Sequence, residues 1–334
     1  MNPLKNQTSS MGLVQNSSLS TMWNNNKKTI IAFLLILFLF LLGEIVVSNF
    51  LSMGQILLTI KLSSFIALFA LCQMIVIAAG GAGLDLSVGF TATLTAILTA
   101  SVMDGQNGNL LPAVLVALAV GAMIGLANGA LIAYVKLPPL VVTMAMASII
   151  QGIINVYTAG KNITGKPAPI LEIIAAKSTG IFPNILFLLL IVAVVVMILL
   201  YKTKWGLKLF GVGTNETTAY LSGVNVKAVR LAAFVISGVT ASLIGLLLIG
   251  NMGIAFKDMG SSYVMPSIAA VVVGGVSLVG GEGNYFRVIL GSIFLQTLTN
   301  LLVALGWGDA GKWLGFGIVL FALLIAYVSD RRKR

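Results

Sequence analysis

The sequence predicts an all-α polytopic membrane protein, and three observations carry that prediction. Of its 334 residues, 58% are hydrophobic and only 9% charged, with a mean hydropathy of +1.06, far more apolar than a soluble domain. Apolar tracts of roughly 20 residues recur along most of the chain, each able at about 1.5 Å per residue to cross a hydrocarbon core of about 30 Å. These tracts are continuous in hydrophobicity, whereas the strands of a membrane barrel are about ten residues long and alternate in polarity.

Residues 1–29 are rich in Asn, Ser and Thr, too polar to build a core, and are expected to form a flexible cytoplasmic tail. The run IIAFLLILFLFLLGEIVVSNF follows. It is too long for a signal-peptide core and has no small-residue cleavage site after it, so it reads as the first anchored span. Ten spans account for the pattern, near residues 30–50, 60–79, 86–103, 111–135, 140–158, 184–201, 231–249, 264–279, 286–305 and 312–329. Polar or Gly/Pro-rich breaks such as DGQNGN, KLPP and GWGDAG separate them. The chain thus divides into the tail, one transmembrane domain over 30–330 with its largest inner loop at 202–230, and a basic end at 331–334.

Basic residues orient the spans. With the N-terminus inside, Lys5, Lys27, Lys28, Lys136, Lys202, Lys204, Lys208, Lys227, Arg230, Arg287, Arg331, Arg332, Lys333 and Arg334 fall on the inner side. Lys61, Lys161, Lys166, Lys177, Lys257 and Lys312 fall outside, a split of 14 against 6 that predicts both termini in the cytoplasm.

The same distribution accounts for the net charge of +11 without nucleic acid, which would need basic residues clustered on a soluble face between aromatic platforms. Histidine is absent, which removes imidazole catalysis and imidazole metal sites. One cysteine, Cys72, excludes a disulfide framework and a thiolate metal cluster. No paired carboxylates lie close in sequence for acid-base work, so the chain is not expected to be an enzyme.

Four stretches stand out. GGAGLDLSVGF holds Asp85 inside a long apolar tract, flanked by Gly83, Ser87 and Gly89. Residues 80–84 are expected to break span two at its cytoplasmic side, leaving Asp85 to cap the first turn of span three with Ser87 beside it. That favours a helix-start and gate-shaping role over a solute or ion site. GKNITGKP, from Gly160, mimics a phosphate-binding loop, but Pro167 stands where Ser or Thr should bind magnesium and no strand precedes it. In the inner loop, Thr214 or Asn215 can cap a helix of about two turns with Glu216 in its first turn, stopped by Gly223 and flanked by flexible glycine segments. VVVGGVSLVGGEGN carries Gly274, Gly275, Gly280, Gly281 and Gly283, with Asn284 at the start of span nine. These glycines read first as sites of close helix packing, second as a gate or an inner contact surface, and Pro266 kinks or starts span eight.

VGTNETTAYLSGVNV resembles the cytoplasmic signature of ABC-type monosaccharide permeases of the ribose-transport family, which commonly reads GGNE-x-A-x-x-SGI-x-V. GGAGLDLSVG is similar to that family's GGIDLSVG element, and SIAAVVVGGVSLVGGEGN to its AIAAVVIGGTSLSGGRG element. The three motifs keep the family's order and spacing and cover roughly residues 50–330. Ala82, Val224, Glu282 and the Asn-rich tail depart from the pattern. The resemblance implies a fold like that of vitamin-B12-type (type II) importer permeases, in a bacterial cytoplasmic (inner) membrane. It also implies an assembly with a second permease subunit, identical or sister, ATP-hydrolysing subunits that hold the ATP and magnesium, and an external sugar-binding protein. This chain itself is then expected to bind lipid but no cofactor.

On that reading Asn215, Glu216, Thr217, Ala219, Leu221, Ser222 and Gly223 form a coupling helix for the ATPase. Ribose or another pentose is the first choice of solute, although the family also serves hexoses, a sugar-derived signalling molecule and nucleosides. Asn128, Thr143, Gln151, Asn155, Gln296 and Asn300 are candidates either to line the pore or to hydrogen-bond between helices. An ion-coupled secondary transporter is the rival expectation, for which Glu44 and Asp85 are the few intramembrane carboxylates on offer.

Overall fold

The computed structural model describes residues 29–81, 83–159, 165–308, 310–318 and 321. The expected tail at 1–28, Ala82, residues 160–164 of the phosphate-loop mimic, most of the tenth expected span and the basic end lie outside them.

Twelve helices follow one another from α1 (Thr29–Val46) to α12 (Tyr285–Ala304), with residues 310–318 helical beyond them. Between these lie α2 (Met53–Ala78), α3 (Val88–Met103), α4 (Leu110–Ala133), α5 (Pro139–Thr158), α6 (Pro169–Ala175), α7 (Asn184–Lys202), α8 (Lys204–Thr214), α9 (Glu216–Leu221), α10 (Val226–Met252) and α11 (Val264–Val273). Among the described residues, seven helices are long and apolar enough to cross a membrane: α1, α2, α4, α5, α7, α10 and α12. The chain is therefore a multi-pass membrane protein. The shorter apolar helices α3 and α11 stand where spans three and eight were expected. A two-stranded antiparallel hairpin, Ser178–Thr179 with Phe182–Pro183, turns at Gly180.

α2 is the central post. Every residue from Ser63 to Ala78 is buried, which is what a helix apolar all round requires. α10 packs along α4, α3, α2 and α6. Its closest partner is α4, where Gly121, Gly125 and Gly129 stand one turn apart and lie on the backbone of Gly238, Phe234 with Val235, and Leu231 respectively. Without a hydrophobic drive between helices in lipid, such backbone approach is what gains dispersion contacts. α1 is peripheral: beyond its contact with Phe50 and Leu301, it exposes Ile30, Ile31, Phe33, Leu34 and Phe38.

Two spans are interrupted. α2 ends at Ala78, and residues 83–87 fold back beside it, so that Asp85 lies opposite Gln73 before α3 begins. After α10 the chain likewise returns as a nonhelical segment, in which Gly260 reaches the first turns of α3: its N–H donates to Thr93 Oγ1 at 3.0 Å, and Gly89 sits against its carbonyl. Only then does α11 start, with Pro266 in its first turn, where a missing N–H costs nothing. Backbone off the helical path is tolerated at such depth only when buried in protein, and here Gln73 of α2 brackets Asp85 while Gly260 lies on α3. Span eight was expected to run to residue 279, but the helix stops at Val273 because Gly275, Gly280 and Gly281 take positive φ and turn the chain.

Polar contacts sort the two ends of the bundle. At one end Lys227 Nζ lies 5.6 Å from the Tyr134 ring and Arg230 meets Glu216. At the other, Lys61 Nζ donates to the Ala176 carbonyl at 2.9 Å and the Gly105 N–H donates to the Lys166 carbonyl. Each end collects basic residues that were assigned to the same side from the sequence.

Candidate functional site

The inner loop folds into two helices rather than one. α8 was not expected, because three glycines in KWGLKLFGVGT read as flexible chain; packing overrides that propensity. Gly206 rests on the Leu200 backbone, and Gly213 on the Ala78 carbonyl and the Gly281 backbone. Of the two capping candidates it is Asn215 that caps α9, its Oδ1 accepting from the Thr218 N–H at 2.9 Å. Thr214 instead donates to Phe210 and lies 3.4 Å from the Gly281 carbonyl.

At the far end of α9, Gly223 (φ +79°) donates to the Tyr220 carbonyl and Val224 to the Ala219 carbonyl. This paired closure satisfies the last carbonyls and needs a left-handed residue at Gly223. Ala219 faces inward, while Tyr220 and Leu221 are 70% and 78% exposed. α9 is thus a six-residue helix with both ends closed and two large side chains turned outward.

At the base of α9 lies a junction of backbones. The Gly281 N–H donates to the Ala78 carbonyl at 3.1 Å, Gly280 lies against Gly80, and Gly80 against Gly213. Three stretches far apart in sequence thus meet through glycine: the end of α2, the end of α8, and the turn between α11 and α12. Arg230, on the first turns of α10, ties α9 to this point, its Nη2 donating to Glu216 Oε2 at 2.8 Å beside Gly81. Gly274 packs on the α12 backbone at Val288, whereas Gly283 meets only the Met74 and Phe210 side chains. The third motif therefore serves mainly as a turn and a backbone junction, with helix packing confined to Gly274.

Above the junction Asp85 is 1% exposed. Its Oδ1 accepts from the Ser87 N–H (3.0 Å) and the Ser87 hydroxyl (2.6 Å), and its Oδ2 from the Ser237 hydroxyl on α10 (2.9 Å). Gln73 on α2 brackets its backbone from both sides, and Asn128 on α4 donates to Ser87 Oγ at 3.0 Å. Buried polar groups are retained where they are matched, and this carboxylate pins the broken strand to α10. The amide it receives is that of Ser87, just ahead of α3, so it orders the turn into the helix rather than the helix's own first turn. Glu44 is likewise occupied, accepting from the Leu51 N–H at 2.6 Å in the turn after α1.

The other polar candidates separate into two groups. Thr143 Oγ1 lies within 3.1 Å of the Leu84 carbonyl, and the ladder Gln296 to Asn300 to Thr59 joins α12 to α2 at 2.7 and 2.8 Å. With Asn128, these residues bond between elements. Gln151 and Asn155 do not: Asn155 is exposed and the Oε1 of Gln151 has no partner among the described residues, both on the open side of α5 with Ser148 and Gly152. No group of three metal-ligating side chains occurs among the described residues.

Residues 55–328 match the family described as branched-chain amino acid transport system / permease component. The chain belongs to this permease family. The permease is 32% identical to the autoinducer 2 import system permease protein LsrC of Shigella flexneri over 90% of its own length and 86% of that protein's. It is 28% identical to the ribose import permease protein RbsC of Escherichia coli K12, over 93% and 95% of the two chains. Both agree with the ribose-type ABC resemblance drawn from its motifs. No solved structure matches it.

Two functional positions escaped the sequence analysis. Ser237 and Gln73, the partners of Asp85, are single polar residues in apolar helices, and such residues are expected to have a partner. The Gly121, Gly125, Gly129 repeat also went unread, although small residues four apart in an apolar helix signal close packing.

Proposed function

We propose that the permease is the membrane-spanning subunit of an ATP-driven importer that passes a monosaccharide, ribose or a similar sugar, from an external binding protein into the cytoplasm. One observation carries this reading: α9, closed at both ends and outwardly apolar, is joined by Glu216, Arg230 and the glycine junction to the turns of both interrupted spans. A push on α9 by an ATPase would reach α10 and the broken strands directly, a shear transition of packed helices. In this proposal residues 215–223 are the coupling helix, ATP and magnesium stay on the ATPase, and two permease subunits enclose the path with the Ser148, Gln151 and Asn155 side of α5 toward it. About ten helices per subunit in the type II arrangement, both termini inside and a bacterial inner membrane complete the assignment. The LsrC and RbsC relatives support a sugar or sugar-derived solute.

Glu216→Arg places two like charges where the 2.8 Å ion pair stands, and Gly223→Pro removes both the positive φ and the donor that close α9. Both variants are expected to keep normal expression while sugar uptake falls by roughly tenfold or more and ATP hydrolysis no longer responds to the binding protein, as loss of a coupling free energy of 1–3 kcal/mol implies. Normal uptake in both would overturn the coupling role. To identify the solute, the permease is reconstituted with its ATPase and binding protein, and sugars are compared for stimulation of ATP hydrolysis. Uptake that survives ATP depletion with the ion gradient intact would instead favour an ion-coupled transporter.

A further inference from the structure

A cleft of about 420 Å³ opens at the foot of α1, lined by Thr29, Tyr201, Phe210, Glu282, Asn284 and Arg287. Tyr201 closes one wall by donating to the Gly283 carbonyl, with the Phe210 ring 5.9 Å from its own. Into this space α12 brings Arg287, whose Nε and Nη1 are buried and have no hydrogen-bond partner among the described residues. Two buried guanidinium nitrogens without an acceptor forfeit the solvation they gave up, which favours an anion in the cleft. Glu282 is exposed and makes no ion pair with Arg287; the pair Arg230–Glu216 is the one found among the described residues.

The cleft sits where the ends of α1, α7 and α12 meet, with Thr29 of α1 in its lining and the neighbouring Ile30, Ile31, Phe33 and Leu34 48–59% exposed. An anion carried on an acyl chain can therefore enter from the side with its chains along α1. We propose that this cleft binds the phosphodiester headgroup of an anionic membrane lipid, with Arg287 as its charge partner. Basic clefts between helices at the cytoplasmic face suit such headgroups. The inner-leaflet location rests on the orientation read from the basic residues; the binding itself does not depend on an ATPase.

The full-length permease in detergent micelles is titrated with dioctanoyl phosphatidylglycerol, following its thermal unfolding midpoint. A saturable rise is expected, absent with dioctanoylglycerol, weakened roughly fivefold by Arg287→Gln and restored by Arg287→Lys. If Arg287→Gln fails to fold, Glu282→Gln serves instead and is expected to tighten binding by removing a like charge from the anion's surroundings. An equal rise with dioctanoylglycerol, or titrations unaltered by these substitutions, would overturn the proposal. Inorganic phosphate reproducing the whole rise would assign the cleft to a free anion and overturn the lipid. Arg287→Gln that binds lipid normally but no longer co-purifies with the ATPase would assign Arg287 to the partner and overturn it too.

Discussion

Leucine at Gly125 is expected to destabilise the permease by about 3 kcal/mol, the upper part of the usual range for overpacking, and to abolish most of its accumulation in the membrane. Any side chain here must displace the Phe234 carbonyl and the Val235 Cα of α10, and backbone cannot rotate aside as a side chain can. Gly121 is as close and Gly129 somewhat less so, so one bulky residue levers apart the α4–α10 interface along its length. Thermal unfolding in detergent measures the effect. Gly152→Leu, at a helical glycine with nothing within 4 Å, is the control and should change the midpoint little. Equal midpoints for the two variants would show that the α4–α10 contact is not held by this repeat.

Asp85 gives the second large effect and separates two roles. Alanine strands the Ser87 amide, the Ser87 hydroxyl's donor and the Ser237 hydroxyl in a site that is 1% exposed, at a total cost of about 3 kcal/mol from unmet hydrogen bonds. Asparagine keeps one oxygen for the Ser87 pair and turns a donor toward Ser237, whose hydroxyl can accept. Asp85→Ala is therefore expected to lose stability and uptake together, while Asp85→Asn retains most of both. An Asn variant of unchanged stability with no uptake would mean that the carboxylate serves transport chemistry rather than the turn.

Membrane class, most helices and the helix in the inner loop were legible because each follows from local chemistry: apolar length, an Asn cap, a glycine stop. Asn215, Glu216 and Gly223 needed no tertiary information. What stayed illegible depended on partners far along the chain. α8 is helical in spite of Gly206, Gly211 and Gly213, because two of those glycines are demanded by the backbones of Leu200, Ala78 and Gly281. The return of residues 83–87 beside α2 and of the stretch before α11 against α3 stayed hidden, because a break was legible in Gly80 to Leu84 and in GIAFKDMGSSY but the partner each folds onto was not. The depth of Asp85 was misjudged for the same reason. It was expected at a helix mouth, yet the chain doubles back and carries it up beside Gln73.

That doubling back bears on how the two faces of the molecule communicate. A continuous helix behaves as a stiff rod, and displacing one tip displaces the other. The helical ladder of span three begins only at Val88 and that of span eight only at Val264, close to where Gly89 and Gly260 touch. In the proposed importer the segments on either side of each break can shift separately, so that one mouth of the path changes width without dragging the other along.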